Sequence, residues 1–353
     1  MTPREVVERA IADGAFPGAA WAYGTLDDLE VGSAGHFRYD DASPAVDHET
    51  IYDVASLTKV VATTSAAMLL SQIDQLDVER PVAEYLPEFA GEGRNEIRVL
   101  DLLTHRSGLP AHREYWKLYD SPEAAFAGIL QEPLVYEPGT RTEYSCVGFI
   151  VLAMLLEKVM NGGQKVKSFK ELEVFTELSI FCRLNMGHTT FRPGPFTRRK
   201  IPPTEVHPAG HFREGEIQGT VHDENAYFLG GVSGNAGLFS SASDVAKFAQ
   251  CMLRGGDEIF DEGHIHMWTM REDETSTRAM GWDTKSPVDP SCGQRFGPLS
   301  YGHLGFTGCS LWIDPEAKLF GVLLSNRVHP TRDNLKIQAV RPAFYDAVYG
   351  VSQ

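Results

Sequence analysis

Cysteine is sparse and poorly placed for cross-linking. The five residues, Cys146, Cys182, Cys251, Cys292 and Cys309, are odd in number, far apart and include no Cys-x-x-Cys pair. Neither a disulfide framework nor a zinc knuckle is expected, and free thiols in a reducing compartment fit best. Positive charge is also short: 32 Lys and Arg face 48 Asp and Glu, giving a net charge of −16 and a pI near 5.2. Such a surface repels nucleic acid and lacks the basic stripe that phosphate or an anionic bilayer would need. The longest wholly apolar run after Gly148, Phe149 to Leu156, is far short of the roughly 20 residues of a membrane helix. Met1-Thr2-Pro3-Arg4-Glu5 carries charge and opens no apolar core followed by small residues, so no secretory signal is read there. A cytoplasmic location is the expectation, or a periplasmic or secreted one if a leader was removed. Repeats and low-complexity tracts are absent. What remains is 353 residues, 42% hydrophobic, with 33 Gly and 20 Pro, enough for about two domain-sized bodies with a cleft between them. The expected partner is a small molecule or short peptide, with homo-oligomerisation left open and no cofactor called for.

Along the chain, Thr2, Pro3 and Glu5 supply an N-cap, a first-turn proline and a capping-box partner, with Gly14 as the stop. They predict a helix from Pro3 to Asp13. Gly18 to Thr25, Glu30 to Tyr39 and Thr50 to Val54 read as short antiparallel strands. From Ser56 onward Val60, Val61, Met68, Leu69 and Leu70 recur as in a buried helix, and further helices are expected at Val99–Leu103 and Val147–Met160. Residues 192–225, rich in Pro, Gly and His, read as a long loop. Ser310 to Ile313 and Leu319 to Ser325 flank the turn Asp314-Pro315-Glu316-Ala317 as a hairpin, and a helix from Leu335 to Val348 closes the chain. Strands at both ends with helices between them predict an α/β plus all-α architecture: an antiparallel sheet flanked by the terminal helices, with an inserted helical domain. Residues 1–60 and 265–353 are assigned to the sheet domain and 61–264 to the helical domain, with the active site at their junction.

Three segments could carry chemistry. Ser56 and Lys59 lie nearly one helical turn apart and so share a face. A serine hydroxyl becomes nucleophilic when a neighbouring base takes its proton, and a partly buried lysine of depressed pKa can do so. This is the only Ser-x-x-Lys in the chain, although the spacing alone is as easily a helix cap beside a solvated lysine. Tyr144, in Tyr144-Ser145-Cys146 before the apolar helix, could pass a proton as phenol and phenolate, though such tyrosines usually serve packing. Gly302-His303-Leu304-Gly305-Phe306-Thr307-Gly308 precedes a strand. Its glycines would let an extended substrate approach, and the Phe306 N–H could help hold an oxyanion, though a glycine-rich segment is often just a turn or bulge.

In this order and spacing the three segments resemble the serine β-lactamase and penicillin-binding-protein superfamily, which uses Ser-x-x-Lys, Tyr-x-Asn or Ser-x-Asn, and Lys-Thr-Gly or His-x-Gly. The likeness is to its class C-like branch, which includes β-lactamases, D-alanyl-D-alanine carboxypeptidases, D-aminopeptidases and family VIII esterases. Leu102-Leu103-Thr104-His105-Arg106-Ser107-Gly108-Leu109 and the run Leu229 to Ser240 resemble that branch too. The resemblance implies Ser56 as acylated nucleophile, Lys59 as its proton partner, Tyr144 as general base, and His303 to Gly305 as the strand motif. The N–H groups of Ser56 and Phe306 would hold the oxyanion.

Two positions depart from the pattern. Cys146 stands where the family often has Asn, removing an amide contact to substrate. His303 stands where β-lactamases keep Lys, replacing a fixed cation by a group mostly neutral at pH 7. The implied function is a serine hydrolase acting through an acyl-enzyme on small esters or D-amino-acid amides and peptides, esterase-like or D-alanyl-D-alanine-carboxypeptidase-like. A β-lactamase and a non-catalytic penicillin-binding-like protein are the alternatives. Val221-His222-Asp223-Glu224-Asn225 and His264-Ile265-His266 could suggest a metal-dependent hydrolase, but they lack a ligand pattern. No metal ligand is assigned, and the run at Val221 is expected to line the cleft.

Overall fold

The computed structural model describes residues 1–352. Helix α1, Pro3–Ala12, starts as its sequence predicts. The Glu5 N–H donates to Thr2 Oγ1 at 3.3 Å and the Thr2 N–H to Glu5 Oε2 at 2.8 Å, satisfying two of the donors that a helix start leaves orphaned. Strands β1, Gly18–Gly24, and β2, Leu29–Gly35, follow. The chain then passes through a helical body. A π-helical turn, Lys59–Thr64, runs into α2, Ser65–Gln72, and α3, Cys146–Met160, is buried on every side from Val147 to Glu157. Helix α4, Ala242–Leu253, packs on the sheet. Strands β3 (Asp283–Thr284), β4 (Tyr301–Leu304), β5 (Ser310–Asp314) and β6 (Leu319–Ser325) precede α5, Ile337–Val351.

The six strands form one antiparallel sheet in the order β2-β1-β6-β5-β4-β3, with Trp21 of β1 opposite Leu323 of β6. The two-residue alternation of a strand sorts side chains onto two faces. Ala19, Trp21, Leu319 and Leu323 pack with Val7, Phe344 and Val348 of α1 and α5. Ala20, Ala22, Val322 and Leu324 join the larger core of the helical body and α4. Full burial of a Leu or Val side chain is worth about 1.5–3 kcal/mol, so apolar surface on both faces holds together strands from opposite ends of the chain. The expected sheet, flanked by terminal helices and interrupted by a helical insertion, is therefore present, and so is the hairpin at residues 310–325.

The departures are local. β2 stops at Gly35, and His36 makes only an isolated bridge to Ala45. The strand expected at Thr50 to Val54 is reduced to Tyr52–Asp53, which pairs with Phe239–Ser240 outside the main sheet. It ends because the Asp53 side chain accepts the Ala55 N–H and turns the chain. The helix expected from Ser56 begins at Lys59, since Leu57, Thr58 and Lys59 bond back three residues in a tight turn. The loop at 192–225 holds one short helical turn, Pro195–Arg198, a two-residue ribbon, Val206–His207 with Gly215–Glu216, and the start of the helix Glu224–Phe228. The last helix starts two residues late and runs to Val351. Among the described residues all five cysteines are free, and no helix is long and apolar enough to cross a membrane.

Candidate active site

Ser56 is set by a strained turn. Ala55 has φ +48°, a left-handed conformation that costs an L-residue roughly 1–2 kcal/mol. Three bonds hold it there: Ala55 N–H to Asp53 Oδ1 at 2.8 Å, Thr58 Oγ1 to Ala55 O at 2.6 Å, and Thr58 N–H to the same carbonyl at 3.0 Å. Asp53 also binds the turn to its surroundings, because its Oδ2 accepts the His222 N–H at 2.6 Å and its carbonyl accepts Thr307 Oγ1 at 2.7 Å. The turn presents Ser56 to a cavity of about 560 Å³, lined also by Tyr144, Cys146, Arg278, His303 and Phe306.

Lys59 is fully buried beneath Ser56. Its ammonium donates to Ser56 Oγ at 3.2 Å and to the Asn235 carbonyl at 2.9 Å, lies 3.6 Å from Cys146 Sγ, and sits 5.0 Å from the centre of the Tyr144 ring. Burial works against its charge, yet Cys146 and Tyr144 more than offset that, so the amine is held above its ordinary range. The depressed amine expected from the sequence is not what the surroundings produce. Burial also raises the Tyr144 phenol, and the nearby Lys59 ammonium and Ser56 hydroxyl only partly counter it. Ser56, Lys59 and Tyr144 thus converge, with Cys146, the first residue of α3, at their side.

Across the cavity, β4 and the loop after it bring up His303, Gly305 and Phe306. A Cβ on Gly305 would lie 2.5 Å from the Val54 carbonyl, so only glycine lets this loop lie against the Ser56 turn. The backbone N–H groups of Ser56 and Phe306 have no hydrogen-bond partner among the described residues. His303 is buried; its Nδ1 lies 2.9 Å from the Leu304 carbonyl and its Nε2 is unpartnered. Burial, then the charges of Lys59 and Arg278, push its pKa well down. The ring is therefore neutral at pH 7.

Sequence reasoning missed four contributors. Arg278 stands 5.1 Å from the Tyr144 ring centre and lines the cavity, so a fixed cation enters from a loop no motif marked. Asn235 lies within the run Leu229 to Ser240, and its backbone carbonyl, not its side chain, holds Lys59. His105, in the Leu102 to Leu109 run, packs 4.6 Å from the Tyr144 ring, and its Nδ1 accepts the Ser145 N–H at 3.0 Å. Asp53, one strand residue among many in sequence, ties three segments together. Of the residues weighed as metal ligands, His222, Asp223 and His264 are not gathered with one another. His222 Nε2 lies 3.0 Å from Glu205 and Asp223 caps a helix and binds Asn235, while His264 lies on a separate helix beside Asp261. His222, Asp223 and Glu224 do line the cavity, as expected.

A sheet closed by terminal helices, with a helical body over one face and this group at the seam, is the β-lactamase-like fold. The hydrolase EstCE1, described as having promiscuous acyltransferase activity, superimposes with a TM-score of 0.77 at 21% identity, covering 99% of this chain and 97% of its own. A class C β-lactamase from Rhodobacter sphaeroides superimposes with a TM-score of 0.74 at 19% identity, covering 99% of both chains. The chain belongs to the Beta-lactamase family, matched over residues 4–343. A protein of Salmonella typhimurium named "Putative D-alanyl-D-alanine carboxypeptidase" is 33% identical over 341 residues, covering 86% of this chain and 77% of the relative. The protein is a serine hydrolase of this family.

Proposed function

We propose that the protein hydrolyses short esters and D-amino-acid amides or peptides through an acyl-enzyme on Ser56. The observation that supports this most directly is the contact of the buried Lys59 ammonium with Ser56 Oγ at 3.2 Å, with Tyr144 at hand for both. Ser56 Oγ adds to the substrate carbonyl while its proton passes to the Lys59–Tyr144 pair. The carbonyl oxygen takes up negative charge beside the free N–H groups of Ser56 and Phe306, an arrangement in which a single donor is worth about 2.7–4 kcal/mol. The carbonyl–heteroatom bond then breaks and the leaving alcohol or amine takes the proton. Water repeats the sequence on the ester of Ser56, releasing the acid and restoring the hydroxyl.

The cleft favours esters and peptides over β-lactams. Neutral His303 supplies no fixed charge, and Cys146 offers no amide. Arg278 lines the cavity with its ion-pair partner Asp283 at 3.7 Å and would meet the carboxylate of a D-peptide or of a β-lactam alike, so the preference against β-lactams rests on Cys146 and His303. A panel of p-nitrophenyl esters, a D-alanyl-D-alanine peptide and a chromogenic cephalosporin tests this: ester or peptide turnover exceeds cephalosporin turnover, and the reverse order refutes it. Ser56→Ala abolishes turnover with the fold retained, and mass spectrometry after fluorophosphonate treatment finds an adduct on Ser56 of the wild type alone.

A further inference from the structure

Beyond the acyl-transfer site, a second cluster stands behind one wall of the cleft. His207, on the short ribbon, and His211, four residues on across a turn, stack with ring centres 3.9 Å apart. Glu224, the first residue of the helix Glu224–Phe228, completes the group, and one ligand atom from each of the three lies within 4.8 Å of the others. His207 is 7% exposed and its Nε2 has no hydrogen-bond partner. A buried imidazole nitrogen left without a partner is costly, and ligation to a metal satisfies it.

We propose that His207, His211 and Glu224 bind one divalent transition-metal ion of the zinc class. Two imidazoles and a carboxylate suit zinc or cobalt and not the hard, oxygen-seeking calcium or magnesium. Tetrahedral ligands at zinc–nitrogen and zinc–oxygen distances near 2.1 Å stand about 3.4 Å apart, so the three atoms close in by roughly an ångström. The turn carrying His211 allows that: a Cβ on the preceding Gly210 would meet nothing within 4 Å. One Glu224 oxygen already accepts from Arg332 at 2.6 Å, leaving the other for the ion. His211 Nδ1 takes the Arg213 N–H over a long 3.2 Å, a bond that ring ligation would trade for a metal–nitrogen bond.

Arg332, paired with Glu205 and Glu224, opposes a cation, while Glu224 and Glu205, the latter 4.0 Å from His207 Nε2, favour one. Three protein ligands leave a fourth position for water. Because Glu224 also lines the cavity with Ser56, the ion would clamp the 207–211 turn to the cleft wall.

Zinc titration of the chelator-treated full chain against a chromophoric competitor tests the proposal. One Zn²⁺ binds per chain, and Co²⁺ in its place gives the visible absorption of a tetrahedral site. His207→Ala, His211→Ala and Glu224→Gln each weaken Zn²⁺ binding at least tenfold. Ser56→Ala and the double variant His264→Ala, His266→Ala bind as the wild type does, which separates this site from the acylation chemistry and from surface histidines. Should His207→Ala fail to fold, the more exposed His211 provides the same test. Substoichiometric uptake by the wild type, or uptake indifferent to all three ligand substitutions, overturns the proposal.

Discussion

Replacing Tyr144 by Phe removes one hydroxyl and leaves the ring. Its neighbours, His105 at 4.6 Å and His303 at 5.8 Å between ring centres, with the Lys59 ammonium at 5.0 Å and the Arg278 guanidinium at 5.1 Å from the ring centre, pack around the ring and keep it in place. Lys59 retains Ser56 Oγ and the Asn235 carbonyl as acceptors. Stability should therefore change by no more than about 1.5 kcal/mol, the worth of one hydrogen bond. Catalysis should not be spared. A positioned acid–base group contributes about 10²–10⁴-fold, and each tenfold is about 1.36 kcal/mol of barrier, so Tyr144→Phe should raise the barrier by about 2.7–5.4 kcal/mol. The loss belongs in kcat, with KM for a p-nitrophenyl ester nearly unchanged, since the hydroxyl handles a proton and does not grip the substrate. Steady-state kinetics with single-turnover acylation, beside a urea titration, would measure both quantities. A Tyr144→Phe enzyme that is stable and turns over within about threefold of the wild type would refute the role given to the phenol.

Other consequences are as direct. Lys59 and Tyr144 are both held above their ordinary ranges, so at pH 7 both carry their protons, and the form able to accept the Ser56 proton has lost one. The kcat/KM of the wild type should rise with pH from neutral into the alkaline range, by up to about tenfold per unit, to a plateau belonging to the pair; a pH–rate profile that falls over that range contradicts it. Cys146→Asn restores an amide beside Lys59 and should speed penicillin acylation by roughly tenfold, the worth of about one hydrogen bond, as read by stopped-flow trapping. Gly234→Ala drives a Cβ into the Phe149 carbonyl of α3. The forced shift should cost about 1–3 kcal/mol in denaturant unfolding and disturb the neighbouring Asn235 carbonyl that holds Lys59.

How much could be read in advance follows from the range of each signal. The N-terminal capping box, the apolar α3 and the hairpin at residues 310–325 rest on neighbours a few positions apart, and the structure keeps them nearly as read. Tyr52–Asp53 looked like sheet because its residue types are strand-forming, but pairing depends on which edge lies alongside. The edge that met it was Phe239–Ser240. Arg278 carries no local pattern, since a guanidinium that serves a cleft differs from one in solvent only by where its loop is laid down.

Residue types and short spacings were enough to suggest the architecture, and with the resemblance they carry to point to the candidate trio Ser56, Lys59 and Tyr144, because periodicity, caps and motifs are properties of nearby positions. The charge state of that trio, the service of Asn235 by its carbonyl, the cation supplied by Arg278 and the meeting of His207 and His211 with Glu224 came from folding alone. Burial and through-space charge shift a proton's affinity, and both depend on which distant segments are brought within a few ångströms of one another.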